Sequence, residues 1–181
     1  MGNITPRSIV TDNQMLATIK SLKSEIIAMA AKETNSQPGD WVVRDALPLT
    51  DFGFNKEKWE NQTVFAAINT WQRDWDHELD DDTYVVFYGV ILHDLNPTVY
   101  GVRFKVGSGG STTIDTMHFQ KLKEEDNVIG LFDKIIYKKE KHIYIELIAD
   151  ALTAQYGEEI ELLCLVCEKY GEIVSGAQRV F

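Results

Sequence analysis

The spacing of apolar residues divides the chain into an N-terminal helical part and a longer part with strand-like patterns. Between positions 13 and 32, apolar residues recur at intervals of four and three, as on one face of an amphipathic helix. The residues of this stripe are Met15, Ile19, Leu22, Ile26 and Met29. The cluster Asn35-Ser36-Gln37-Pro38-Gly39 follows, and such a run of turn formers ends a helix. We therefore predict an N-terminal arm with one amphipathic helix over residues 1–36 and a β domain over residues 37–181.

Beyond residue 37, short apolar runs alternate with turn signals, which is typical of an antiparallel β protein. The run from Tyr84 to Leu92 is apolar on both faces and predicts a strand buried between two layers or at an interface. Strands are also predicted from Val99 to Val106 and from Thr112 to Phe119, joined by a glycine-rich turn. Further strands are predicted at 41–45, 63–71, 128–132, 135–137, 143–148, 160–167 and 173–174, with residues 138–141 linking a hairpin. This pattern predicts a mainly β antiparallel β-sandwich of jelly-roll or Greek-key type, and it leaves the strand order open, including an immunoglobulin-like order.

The apolar stripe of the predicted helix supports two interpretations. Its spacing is that of a coiled-coil seam, which favours self-association of the chain or docking of a partner. A short amphipathic helix can instead pack on its own domain. Fewer than three heptads are marginal as an isolated coiled coil, so self-association would need help from a neighbouring subunit interface. Both interpretations stay open at this stage.

The charge distribution argues against nucleic acid as a direct partner. The formal net charge is −10, and residues 41–100 hold four basic and eleven acidic side chains. A phosphate backbone would be repelled by that segment. The chain has no apolar run long enough to span a membrane and no N-terminal signal-peptide pattern. We therefore expect no membrane span, and a location in the cytoplasm of the cell that makes the protein.

The residues able to ligate metals or perform catalysis form no recognised motif. Cys164 and Cys167 lie three residues apart in a predicted strand, so their thiols should point to opposite faces rather than bind one metal. The four histidines lack the spacing of a metal site. The acidic run over residues 74–82 is predicted to be a solvated loop, with a weak calcium site at Asp80, Asp81 and Asp82 as the alternative. We predict no cofactor, no resident metal and no enzymatic activity.

Aromatic and acidic residues near the centre of the chain suggest a second function. Trp71 and Trp75 stand beside Asp74 and Asp76, and carbohydrate-binding sandwiches combine such aromatic rings with carboxylates. A carbohydrate- or ligand-binding module is therefore the alternative function. Packing of the two tryptophans in the core is the competing interpretation.

Several segments resemble the β-sandwich domains of structural proteins in tailed phages and other prokaryotic viruses. They are residues 99–106, the glycine-rich turn, residues 112–122, Gly130-Leu131-Phe132-Asp133 and Ile143-Tyr144-Ile145-Glu146-Leu147. The order of an N-terminal arm or helix before a β-sandwich is similar as well. The resemblance implies a non-enzymatic structural protein that forms a homo-oligomer within a virion, as a capsid, decoration, or tail or fibre protein. Its expected partners are further copies of itself and other virion proteins.

Overall fold

Two antiparallel β-sheets and one long helix form the framework of the described part of the chain. The computed structural model describes residues 5–6, 12–62, 64–93, 97–120, 122, 129–138, 141–152 and 159–170. The strands are β1 Thr5–Pro6, β2 Trp41–Asp45, β3 Gln72–Glu78, β4 Thr83–Leu92, β5 Val99–Val106, β6 Thr112–His118, β7 Ile129–Tyr137, β8 His142–Ala149 and β9 Ile160–Lys169. The helices are α1 Asp12–Thr34 and the short α2 Pro48–Phe52, with 3₁₀ turns at Pro38–Asp40 and Ser108–Gly110.

The two sheets pack face to face around the main hydrophobic core. The first sheet has the strand order β1-β7-β4-β9-β2, and the second has the order β3-β8-β5-β6. All pairings between the described strands are antiparallel. Phe87 of β4 and Phe104 of β5 meet across the core, with ring centroids 5.1 Å apart. The prediction of a mainly β protein with antiparallel sheets is confirmed.

Helix α1 forms a third layer on the outer face of the first sheet. The predicted helix over residues 13–32 is thus confirmed with slightly wider bounds. Its C-terminal end is fixed by Asn35, which adopts a left-handed conformation with φ of 52°. The next residue, Ser36, donates its backbone N–H to the carbonyl of Ala31 at 3.0 Å. Ion pairs of Glu25 with Lys134 and of Glu33 with Lys138 join the helix to the strand β7 side of the sheet.

Strand β4 is apolar on both faces because each face meets a different layer. Tyr84 and Val86 belong to the cluster under α1, whereas Val85 and Phe87 belong to the core between the sheets. The helix thus covers the second apolar face within the same chain. The prediction that this strand is buried between two layers is confirmed.

Four local expectations were wrong. Residues 72–78 form strand β3, although most of them were assigned to a solvated loop, and no strand is present at 64–71. Residues 129–137 form one continuous strand rather than two short ones. That strand belongs to the first sheet and β8 to the second, so residues 138–141 do not join a hairpin. The strand expected at 173–174 lies outside the described residues.

Within the described residues, no helix combines the length and the apolar character needed to cross a membrane.

Candidate functional site

The predicted self-association seam of α1 faces the sheet of its own chain. Leu22 and Ile26 are buried there, and Ile26 retains only 1% of its exposure. Met15, Ile19 and Met29 are half-buried and pack against the same cluster. The helix and the strands beyond the predicted boundary at residue 36 therefore share one apolar cluster. The seam thus packs on its own domain, as the intramolecular interpretation describes. Self-association through the seam stays a prediction, and it would require the helix to leave this sheet.

The four residues of the predicted ligand-binding set do not share one surface. Trp75 lies in the core between the sheets, and its Nε1 donates a hydrogen bond to the carbonyl of Phe52 at 3.1 Å. Trp71 instead lies over the outer face of the second sheet. Asp74 accepts a hydrogen bond from the backbone of Gln62 at 2.8 Å. Asp76 pairs with Arg73, the N···O distance being 3.0 Å.

A cluster of rings and charges does assemble around Trp71, and we call it the outer aromatic cluster: Trp71, Tyr100, His118 and Arg103. The ring centroid of His118 lies 5.5 Å from that of Trp71 and 5.9 Å from that of Tyr100. The guanidinium carbon of Arg103 lies 4.2 Å from the centroid of the Trp71 ring, which is a cation–π contact. Three chain segments contribute to this cluster: the end of the loop before β3, strand β5 and strand β6.

Gly101 provides the space that this arrangement requires. A Cβ atom at this position would lie 3.1 Å from Cη2 of Trp71, 2.9 Å from Cγ2 of Ile148 and 3.0 Å from the carbonyl oxygen of Met117. The pairing of β5 with β8 is irregular between Val99 and Gly101, and the intervening residue is Tyr100. The glycine and the bulge together let the indole and the phenol approach the same part of the sheet.

A second polar cluster, which the sequence analysis missed, lies at one end of the sandwich. Arg44 of β2 donates to Asp51 of α2 and to Glu168 of β9, with N···O distances of 2.6 and 2.9 Å. Both carboxylates are only 4% exposed. Hydrogen bonds to Asp51 and Glu168 raise the pKa of Arg44 despite its partial burial. The available signal was the placement of charged residues inside apolar strands, at Arg44 in WVVRD and at Glu168 in LVCEK.

A small cavity of about 20 Å³ borders this second cluster. It is large enough for one water molecule, and its polar lining could satisfy that molecule. The lining includes Thr50, Asp51, His77, Asp80 and Glu168. Burial is the main cause that lowers the pKa of His77, and the nearby carboxylates of Asp80 and Asp51 oppose this effect. The cavity therefore favours a neutral imidazole.

The acidic turn after β3 lines an open depression rather than a closed metal site. Glu78, Leu79, Asp80 and Asp81 line this depression. Thr83 donates its backbone N–H to the carbonyl of Asp80, and Asp82 lies 3.8 Å from the ammonium group of Lys169. Among the described residues, no three His, Cys, Asp or Glu side chains converge in a way that could hold a metal ion.

Within the part of the chain that the structure describes, the outer aromatic cluster and the Arg44 cluster are thus two places where polar side chains from distant segments meet. Comparisons of the chain with protein-family models, with curated protein sequences and with solved structures found no match.

Proposed function

We propose that this chain is a non-enzymatic structural protein that self-assembles as a virion component with a jelly-roll fold. The capsid, decoration, and tail or fibre roles all agree with this proposal. The protein would act in the virion after synthesis in the host cytoplasm. Its partners would be identical copies and other virion proteins.

The observation that carries the proposal is the pairing of the eight strands that follow α1. The first of these strands pairs with the last, the second with the last but one, and so on inward: β2 with β9, β3 with β8, β4 with β7 and β5 with β6. Such nested pairs arise when one long antiparallel hairpin folds over so that successive strand pairs lie alternately in the first and in the second sheet. Nested pairing of this kind is expected of an eight-stranded jelly roll, a fold that occurs among viral capsid domains, and it supports the proposal. Because a fold does not define a function by itself, a surface for assembly is also required.

We propose that the edge of the first sheet at β2 provides this surface. An edge strand offers unpaired backbone groups to a neighbouring subunit. Exposed apolar side chains flank β2 at both ends: Tyr170 follows its partner strand β9, and Leu47 and Leu49 follow β2 itself. Tyr170 is 74% exposed, and its backbone N–H reaches the carbonyl of Asp40 next to β2. Exposed apolar side chains at both ends of an edge strand would be removed from water where a neighbouring subunit pairs with that edge.

The test is the mass of the full chain in solution, measured by light scattering over a wide range of protein concentrations. We expect a discrete oligomer, and we expect the double variant Leu49→Lys with Tyr170→Lys to be monomeric. Leu152→Lys is the control because Leu152 is also exposed, at 63%, but follows β8 of the second sheet rather than β2 or β9. A wild-type chain that stays monomeric at every concentration would overturn the proposal. An edge variant that remains oligomeric would instead direct attention to exchange of α1 between chains.

A further inference from the structure

We propose that the outer aromatic cluster is a binding site for glycans that carry a carboxylate. This inference is independent of self-assembly, because it concerns the outer face of the second sheet and not the edge at β2. It also differs from the ligand-binding set suggested by the sequence, since only Trp71 belongs to both.

The outer aromatic cluster presents rings at the surface in fixed orientations. His118 is exposed, and Trp71 and Tyr100 are partly exposed. The hydroxyl of Tyr100 donates to Oδ1 of Asn69 at 3.1 Å, which fixes the phenol ring. The guanidinium of Arg103 is held by Glu146 at 3.2 Å while it covers the indole. Side chains that are already ordered lose little conformational entropy on binding, so this surface is prepared for a ligand.

The outer aromatic cluster combines apolar ring surface with polar groups at its border. Arg103 covers one face of the indole, but the exposed parts of Trp71, Tyr100 and His118 still offer apolar ring surface, against which the C–H groups of a pyranose ring can pack. Polar groups surround the rings: Asn69 and Thr70 are exposed on the preceding loop, and His118 adds an imidazole. A sugar ring combines an apolar face with hydroxyl groups at its rim. A saccharide therefore matches this surface better than a purely apolar ligand does.

The local charge beside the outer aromatic cluster is positive. Arg103 and Lys105 share the carboxylate of Glu146, with N···O distances of 3.2 and 2.9 Å. This triad retains one positive charge, although the whole chain has a formal net charge of −10. A positive group beside aromatic rings is complementary to an acidic sugar. Nucleic acid also combines stacking with negative charge, but it carries a phosphate charge at every nucleotide, so the acidic chain opposes it more strongly than a sugar with a single carboxylate.

The test begins with the full chain on a printed array of sialylated, uronate-containing and neutral oligosaccharides. Hits are then titrated in solution as matched pairs: 3′-sialyllactose against lactose, and trigalacturonate against its methyl ester. We expect binding of carboxylated glycans, weakened by added salt, and about tenfold weaker binding of each neutral counterpart. A hexaglutamate peptide supplies carboxylates without a sugar ring and should not bind.

The variants locate the site. Trp71→Ala should weaken the binding of the carboxylated glycans about tenfold or more. His118→Ala and Lys105→Gln should each weaken it several-fold, and they keep the test valid if Trp71→Ala fails to fold. Trp59→Phe is the matched control, because Trp59 packs beside Phe54 on the core between the sheets and does not belong to the outer aromatic cluster. Absence of binding to all carboxylated glycans, equal binding of the neutral partners or of hexaglutamate, or full binding by the folded variants would each overturn the proposal.

Discussion

Cys164 and Cys167 lie on the same strand, yet their thiols belong to different apolar layers. Cys164 lies in the core between the two sheets, whereas Cys167 lies in the cluster beneath α1. The prediction that the two thiols point to opposite faces is confirmed. This separation excludes a disulfide or a shared metal ion without rearrangement of β9.

We expect both thiols to be unreactive in the folded protein. Burial raises the pKa of Cys167 to about 12 and raises the pKa of Cys164 well above its usual value. Because the thiolate is the reactive form, iodoacetamide at pH 8 should add to neither residue in the native protein. Mass spectrometry should detect no adduct before unfolding and two adducts in guanidinium chloride. Rapid native labelling of Cys167 alone would contradict this expectation and would show that α1 opens from the sheet.

The helix-to-sheet contact can be measured through one residue. Ile26→Ala should lower the free energy of unfolding by about 2–5 kcal/mol, because it deletes buried methyl groups and leaves a cavity. Leu16→Ala is the control on the same helix, since Leu16 is 55% exposed, and it should change stability by less than about 0.5 kcal/mol. Urea unfolding followed by circular dichroism provides both values. Equal, small effects of the two variants would show that α1 is not held on the sheet in solution.

The elements could be predicted where one periodicity dominates. The 4-3-4-3 spacing that ends at Ile26 and Met29 predicted the helix. The apolar residues on both faces of β4 indicated that a layer covers each face. Strand β3 was missed because the density of acidic residues obscured its alternation. Asp76 and Glu78 are exposed, whereas Trp75 is buried and His77 is half-buried, which is the period of a strand with one solvated face.

Pairing between distant segments could not be predicted from local patterns. The sequence of residues 138–141 contains nothing that tells whether the next strand joins the same sheet or the opposite one. The outer aromatic cluster depends on this information, because Trp71, Tyr100 and His118 meet only after β3, β5 and β6 are in register. The contact of Arg44 with Glu168 joins residues 124 positions apart, which no local motif encodes.

The Arg44 cluster should be sensitive to loss of the cation that Asp51 and Glu168 share. Arg44→Met would leave Asp51 and Glu168 buried without this partner, and should lower the free energy of unfolding by about 3–5 kcal/mol. Arg73→Met is the matched control because its pair with Asp76 is exposed, and its effect should stay within about 1 kcal/mol. Adding Asp51→Asn and Glu168→Gln to Arg44→Met should restore part of the loss. Chemical unfolding of the four proteins checks this, and no recovery in the combined variant would show that lost packing, not charge, is the cause.

The neutral state of His77 should make stability depend on pH. Burial lowers its folded-state pKa below the usual value of 6.5, so the unfolded chain binds the proton more readily. The stability associated with a neutral His77 is therefore fully present above about pH 6.5. The free energy of unfolding decreases as the pH falls from this value through the lowered pKa of the folded state. His77→Gln should remove this contribution to the slope, whereas His118→Gln, at an exposed position, should retain it. The measurement is the free energy of unfolding in urea from pH 7.5 to pH 5, and parallel curves for wild type and His77→Gln would contradict the assignment.

Gly89 of β4 should not accept a side chain unless its neighbours shift. It lies at the register shift of this strand, where an added Cβ would come within 2.7 Å of Cδ1 of Leu163 and 2.8 Å of the carbonyl oxygen of Gly130. Because the second neighbour is backbone, Gly89→Ala should force a displacement of β7 and lower the free energy of unfolding by about 1–3 kcal/mol. Gly39→Ala is the matched control: a Cβ there meets nothing within 4 Å, so the smaller backbone entropy of the unfolded chain should leave stability unchanged or raise it by up to about 1 kcal/mol. The midpoints of thermal and urea unfolding should thus shift in opposite directions in the two variants, or by clearly unequal amounts. Equal stability of both variants would show that β4 and β7 are not packed this closely at Gly89.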